Sequence, residues 1–399
     1  VICSARHADA RRPVGRSRDS VTPCQAKAGH NPPCSAMKSE ADPAPLEADG
    51  SDAGLTTSDF DYDLPSRLIA QRPAPRRDGS RLLVLDRASG TVADRRFPDV
   101  LDYPAPGDVL VVNDTRVFPA RLLGRKPTGA AAEVLLLNPV PGDTSGRSWE
   151  ALVRPGGKLK PGRLVVVSDE LQVRIEDSTP DGGRVVHIEG EGEPFELIER
   201  HGHVPLPPYV ERAPDPEDRE RYQTVYADAV GSVAAPTAGL HFTTELLEAA
   251  AAMSVAIARV TLHVGPGTFR PVDVEDPREH VLHAERWEMT PGTAQELNAA
   301  RSSGGKIWAV GTTSARVLET TVRHDGRFEP GSGWTDLYIL PPHDFRGIDA
   351  LVTNFHLPRS SLLMLISAFA GTELVMRAYR HAVQQEYRFY SYGDAMLIL

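Results

Sequence analysis

Cysteine is nearly missing from this chain of 399 residues: Cys3, Cys24 and Cys34 stand near its start and none follows. A disulfide framework, a cysteine-ligated zinc or iron–sulfur site and a thiol nucleophile are thereby excluded from everything after Cys34. Long apolar runs are also lacking. The most apolar stretch, residues 362–370, carries Ser367 and falls short of the roughly 18 residues a membrane span needs, so no membrane role is expected. Nor is there an excess of positive charge. With Lys+Arg 44 against Asp+Glu 54 the formal net charge is -10, which argues against non-specific nucleic-acid binding, because phosphate affinity comes from lysines and arginines that displace counterions. Local basic faces remain open at Arg116, Arg121, Arg125 and Lys126 and at Arg154, Lys158, Lys160 and Arg163, with solvated strand edges as the plain alternative.

What is present is a globular composition, 41% hydrophobic and 25% charged, long enough for about two domains. Residues 1–57 show neither helical nor strand periodicity and read as a disordered tail; Asp42, Glu47, Asp49 and Asp52 argue against a transit peptide. Val1 is an unusual initiator, and Met37 offers a later start. Order is expected from Asp59, with a short helix over 66–71 and a hairpin of strands 81–85 and 91–97 around Ala88-Ser89-Gly90. A buried strand at 109–112 follows. Between 118 and 188 the texture changes to six short β runs, at 120–123, 133–137, 150–153, 164–167, 171–175 and 184–188, whose close spacing predicts a small barrel. A helical stretch is expected over 214–222, and then mixed α/β: strands at 255–262, 307–310, 337–340 and 350–353, helices at 293–301, 314–323, 360–369 and 373–385.

The fold class expected is therefore α/β: a mixed, largely parallel sheet with helices as a discontinuous main domain, plus an inserted small β-barrel domain. The limits drawn are 1–57 for the tail, 58–116 and 205–399 for the main domain, and 117–204 for the barrel.

In such sheets ligands bind beyond the carboxyl ends of the strands. Three strands end in polar clusters: Leu262-His263-Val264-Gly265-Pro266-Gly267-Thr268, Gly311-Thr312-Thr313-Ser314 and Thr353-Asn354-Phe355-His356. All three fall on one rim if the strands are parallel. The Gly311 cluster opens a helix, so it is either an ordinary N-cap or an anion site, with Arg316 nearby as a carboxylate partner. Gly265-Pro266-Gly267 lacks the G-x-G-x-x-G spacing and reads as a sharp turn or a close backbone approach to a ligand. His241, in Ala238-Gly239-Leu240-His241-Phe242, and His263 are each either structural or a general base. His280 and His283 could share a helix face as metal ligands, but no third ligand follows at a diagnostic spacing, and no metal is expected. Glu285, Asp336 and Asp349 could accept a cationic group, with a solvated or capped carboxylate as the plain alternative.

Six blocks then carry a resemblance. Asn113-Asp114-Thr115-Arg116-Val117-Phe118-Pro119-Ala120-Arg121, Ala234-Ala235-Pro236-Thr237-Ala238-Gly239-Leu240-His241-Phe242, residues 263–269, residues 311–319, Thr353-Asn354-Phe355-His356-Leu357-Pro358 and Phe389-Tyr390-Ser391-Tyr392-Gly393-Asp394-Ala395-Met396 closely resemble the S-adenosylmethionine:tRNA ribosyltransferase-isomerases of queuosine biosynthesis, in order from about residue 59 to 399. The resemblance implies a discontinuous α/β domain with an inserted barrel. It also implies the reaction: the ribosyl part of S-adenosylmethionine passes to 7-aminomethyl-7-deazaguanine at the tRNA wobble position and isomerises to an epoxycyclopentane, giving epoxyqueuosine, adenine and methionine. S-adenosylmethionine is then a consumed substrate, no cofactor is expected, and a cytoplasmic monomer is implied.

That chemistry needs a base for the acidic ribose C5′ protons beside the sulfonium and an acid for departing adenine. His241, His263 and His356 are expected to supply them, unranked, with Asp336 balancing a cation. Thr312, Thr313, Ser314 and Arg316 are expected to hold the methionine carboxylate, and Thr237, Gly239, Gly265, Gly267, Thr268, Gly311 and Asn354 to complete the substrate site. Arg116, Arg121, Arg125, Lys158 and Lys160 are expected to meet the tRNA. Two departures stand out: Ala130-Ala131-Ala132 replaces a Gly-Gly-basic turn, and Gly265-Pro266-Gly267 replaces Gly-Ala-Gly. A methyltransferase would need a glycine-rich first strand-to-helix turn and an acidic residue after the second strand, which are not found. A non-catalytic RNA-binding barrel would leave the histidine rim without purpose.

Overall fold

The computed structural model describes residues 54–180, 182–265, 267 and 271–399. The tail reading over 1–53, the turn residue Asp181, and Pro266 and Thr268 of the glycine turn lie outside the described residues. Order is already present at Thr57, which is buried and donates its hydroxyl to the Val274 carbonyl at 2.6 Å.

Leucine and valine runs build the start of the main sheet. β1 (Arg81–Leu85) pairs antiparallel with β2 (Val92–Arg96). Gly90 closes the turn between them with φ 68, a conformation that costs glycine least. β3 (Val109–Asn113) is buried at every position, as a strand covered on both faces must be. Its residues alternate between two cores: Val109 and Val111 face one, Leu110 and Val112 the other. Each such burial contributes roughly 1.5–3 kcal/mol. β4 (Thr115–Val117) follows at once.

The six short runs form a closed antiparallel barrel. β5 (Arg121–Arg125), β6 (Ala131–Pro139), β7 (Ser148–Arg154), β8 (Leu164–Val166), β9 (Gln172–Ser178) and β10 (Arg184–Glu189) close in the order β10-β7-β6-β5-β8-β9. Val134, Leu136, Val173 and Ile175 fill the interior, together with Leu197 and Ile198 of α1 (Pro194–His201). At Gly124 any Cβ would stand 2.5 Å from the Val166 carbonyl oxygen, so glycine is what lets β5 reach β8 and complete the closure.

The chain then passes α2 (Asp218–Arg221) and β11 (Ala229–Ser232), which pairs parallel with β4. α3 (Thr244–Ala252), β12 (Ala256–Leu262), β13 (Glu285–Met289), α4 (Pro291–Ser302), β14 (Ile307–Val310), α5 (Thr312–Thr321), β15 (Gly331–Thr335), β16 (Ala350–Asn354), α6 (Ser361–Ala370), α7 (Thr372–Gln384) and β17 (Ala395–Ile398) complete it. Among the described residues the main sheet has nine strands in the order β15-β13-β12-β3-β14-β16-β17-β1-β2. Its centre, β12-β3-β14-β16, is parallel throughout. Among the described residues no single helix is long and apolar enough to cross a membrane.

The expected fold class is observed, with local differences. The helix expected over 66–71 is a 3-10 turn at Ser66–Leu68, and that over 214–222 is only the single turn of α2. No strand forms over 337–340; Leu337 and Ile339 pack into the core without a ladder partner. Instead β15 pairs with β13 at the sheet edge. β15 was hidden by its glycines, yet Gly331 and Gly333 are what the Trp287 ring lies against, at 3.4 and 3.5 Å from an added Cβ. His280 and His283 follow a 3-10 turn at Pro277–Glu279 on irregular chain, so the helix face they were to share does not form.

Candidate active site

Because β12, β3, β14 and β16 run parallel, their carboxyl ends open on one rim, and the three polar clusters meet there. Thr237, Gly311, Thr312, Thr313, Asn354 and His356 line one small cavity of about 40 Å³. A second cavity, of about 350 Å³, lies between barrel and sheet and is lined by Leu137, Glu150 and Leu152 on one side and His263, Gly265 and Gly267 on the other. Val264 lines both, so the two are neighbours.

His241 ends a 3-10 turn at Thr237–His241 and is buried against the Phe97 ring, with centroids 5.0 Å apart. The Asn354 amide reaches its Nε2 at 3.0 Å and the Tyr390 carbonyl at 3.2 Å. Only the Nδ2 end can donate to that carbonyl, so Nε2 accepts and the imidazole proton sits on Nδ1, donating to Ser80 Oγ at 2.8 Å. Both nitrogens are engaged. Burial, reinforced by the charge of Arg388, lowers its pKa to about 3. His356 is also buried: its ring Nε2 meets Thr353 Oγ1 at 2.8 Å, its backbone N–H donates to the Tyr379 hydroxyl at 2.9 Å, and burial lowers its pKa to about 3. These two histidines are neutral at any physiological pH.

His263 differs. It is half-buried, its Nδ1 stands 2.8 Å from Thr115 Oγ1, and its ring borders the larger cavity. Thr115 Oγ1 also reaches the Ala229 carbonyl at 3.4 Å. A hydroxyl that donates to a carbonyl accepts from the imidazole, which places the proton on Nδ1 and leaves the Nε2 lone pair for other use. The ring packs on Gly231, where an added Cβ would stand 2.8 Å from Cε1. Burial and then the Arg286 charge lower its pKa, while Glu288 opposes the shift.

The smaller cavity has its own chemistry. α5 opens on it, and the first amides of a helix lack intrahelical partners and carry partial positive charge. Gly311 takes φ 91 at the N-cap, which a side chain would resist. Thr313 Oγ1 and Asn354 Oδ1 are buried there without a hydrogen-bond partner. Leaving such groups unmet costs about 1–3 kcal/mol each, so they mark a place for a polar ligand. Ser314 is committed elsewhere, donating to the Val310 carbonyl at 2.8 Å.

Arg316 does not face this cavity. It is buried and pairs with the Glu285 carboxylate, and its Nε donates to the Leu337 carbonyl at 3.1 Å. Glu285 in turn accepts from the Gly265 N–H at 2.8 Å. The pair thus ties α5 to the glycine turn. Gly239 is also internal: an added Cβ would stand 2.0 Å from the Tyr226 hydroxyl. Asp336 is exposed one residue past β15. Gly267 packs over His283.

Of the basic residues, Arg116, Arg125, Lys158 and Lys160 are exposed. Arg121 is half-buried and forms a two-bond pair with Glu133 at 2.9 and 3.0 Å. Sequence reasoning missed Thr115 and Ser80; Glu285, by sequence a cation acceptor or a solvated carboxylate, is instead the buried partner of Arg316. Thr115 lay inside a quoted block and could have been found from it; Ser80 carried no local mark. Among the described residues no group of three or more His, Cys, Asp or Glu is arranged to hold a metal ion.

The chain matches the family described as queuosine biosynthesis protein over residues 57–398. An S-adenosylmethionine:tRNA ribosyltransferase-isomerase of Symbiobacterium thermophilum is 57% identical over 347 residues, which are 86% of this chain and 100% of that protein. The enzyme of the same name from Moorella thermoacetica is 55% identical over 348 residues, again 86% and 100%. The crystal structure of an S-adenosylmethionine tRNA ribosyltransferase from Thermotoga maritima is 40% identical and aligns with a TM-score of 0.50, covering 86% of this chain and 100% of that one.

Proposed function

The chain belongs to the queuosine biosynthesis protein family, and from that membership we propose how its rim transfers and isomerises the ribosyl group of S-adenosylmethionine onto tRNA. The acceptor in this reading is 7-aminomethyl-7-deazaguanine at the wobble position, and the products are epoxyqueuosine, adenine and methionine. S-adenosylmethionine is consumed as a substrate rather than retained as a cofactor. The protein acts as a cytoplasmic monomer.

The observation that carries the assignment of roles is that His263 alone of the three rim histidines lines the larger cavity between barrel and sheet. The amino-acid end of S-adenosylmethionine belongs at the smaller cavity, where the first amides of α5 and the hydroxyls of Thr312 and Thr313 suit a carboxylate. The sulfonium then passes Val264 and the ribose reaches His263. The sulfonium acidifies the C5′ protons; His263, kept neutral by burial and Arg286, removes one at Nε2. The resulting imidazolium is the acid nearest departing adenine. His241 and His356 hold Asn354 and the strand end in place, and Arg316 acts through Glu285 on the glycine turn. The RNA enters along the barrel side, where Arg116, Arg125, Lys158 and Lys160 are exposed.

The test is adenine release from S-adenosylmethionine in the presence of precursor-bearing tRNA. His263→Gln is expected to slow it at least about 10²-fold with an unchanged melting temperature. Thr115→Val is expected to slow it less and to shift its pH profile. A full rate in His263→Gln sinks the assignment, and adenine release that ignores the tRNA sinks the acceptor.

A further inference from the structure

A third cavity, of about 520 Å³, lies between the barrel and the segment 205–212. Leu152 and Val233 line both it and the His263 cavity, so the two adjoin. On its barrel side Arg121, Glu133 and Arg154 line it in a row across β5, β6 and β7, with Glu133 and Arg154 directly opposite in register. Arg121 Nε and Nη2 each donate to a different oxygen of Glu133, which holds guanidinium and carboxylate in one plane. The opposite wall is apolar and stiff, with Pro205, Pro207 and Pro208. The segment is tied to β5 by the Arg121 N–H to the His203 carbonyl at 3.1 Å and the His203 N–H to the Arg121 carbonyl at 2.9 Å. Arg212, at the rear, is spent on Asp218 with two bonds of 2.6 Å. Arg154 is exposed.

A flat charged fork facing a rigid apolar wall suits a planar heterocycle that offers a π-face and a polar edge. Single-stranded RNA is read in that way: bases leave the stack, lie on aromatic or guanidinium planes and bond through their edges. An RNA whose reacting base is drawn into the His263 cavity has its neighbouring base within reach of the adjoining one. We propose that the Arg121–Glu133–Arg154 cavity receives an unstacked nucleobase next to the reacting base and thereby sets sequence context; this rests on the RNA-modifying reading above.

Hairpin RNAs carrying the precursor base, intact or with one abasic site at each flanking position, test it by fluorescence-anisotropy Kd. One abasic position is expected to weaken binding to the wild type about tenfold. Leu206→Trp, which fills the cavity, is expected to weaken the intact RNA about as much and to abolish the effect of that same position. Should Leu206→Trp fail to fold by thermal melting, Arg154→Ala, at an exposed side chain, carries the same cycle. Effects that multiply at every position overturn the proposal. So does a Leu206→Trp protein whose KM for S-adenosylmethionine rises while its RNA affinity holds, because the cavity then serves the small substrate. Adenine release by the wild type with intact RNA is read separately; its failure counts against the reaction and leaves the binding cycle to decide the cavity.

Discussion

His241 and His356 show how burial sets a residue's chemistry before any substrate arrives. Both have pKa values lowered to about 3 by desolvation, against an ordinary value of 6.5. In the unfolded chain each takes up a proton as pH falls through 6.5, while in the folded chain neither does until about 3. The unfolded state therefore binds more protons across that window, and stability must fall as pH falls. Each histidine adds a slope of at most about 1.4 kcal/mol per pH unit. Urea unfolding between pH 7 and pH 4 is expected to show this loss, and His356→Gln to show a shallower one; an identical slope in the variant refutes the attribution. His263 is only half-buried beside Thr115; its pKa is lowered too, by burial and then by the Arg286 charge, while its ring still borders the cavity between barrel and sheet.

Among the elements, α5 and β13 illustrate what a sequence pattern conceals. The Gly311-Thr312-Thr313-Ser314 start of α5 was legible, because glycine and hydroxyl residues at a strand-to-helix junction have few other uses. The role of Arg316 was not. It was expected to meet a substrate carboxylate, whereas its partner is Glu285, a residue 31 positions away on β13. β13 itself, Glu-Arg-Trp-Glu-Met, is not among the expected strands; it forms one with Glu285 turned inward to Arg316 and Trp287 over the glycines of β15. Removing one member of a buried pair leaves the other uncompensated. Glu285→Gln is expected to cost about 3–5 kcal/mol in urea unfolding. It is also expected to raise the KM for S-adenosylmethionine, since the Gly265 amide loses its carboxylate. Unaltered stability would mean that the Arg316 carbonyl contacts suffice.

For the whole molecule, the question is how a chain of net charge -10 meets RNA. Lys158 and Lys160 stand exposed on the barrel just beyond β7, while Arg121 is already neutralised by Glu133. Each lysine that touches a phosphate contributes about 0.7 to 0.9 to the slope of log affinity against log salt. Lys158→Ala and Lys160→Ala are expected to weaken binding of any hairpin to a similar degree and to flatten that slope by about this much apiece. A slope that stays the same places the phosphates elsewhere.

The sequence by itself determined the two architectures and the three rim clusters. Strand alternation, turn chemistry and the end of each apolar run are local properties, and six barrel strands and four parallel strands followed from them. It also carried the family, through blocks spread over most of the chain. Which of the three histidines borders the cavity between barrel and sheet, which hydroxyl fixes its tautomer, and which arginine is already paired came only from the folded chain. Those properties depend on burial and on partners such as Asn354 with His241, 113 residues apart, and Thr115 with His263, 148 apart. Desolvation and hydrogen bonding act across space, and distance along the chain does not encode them.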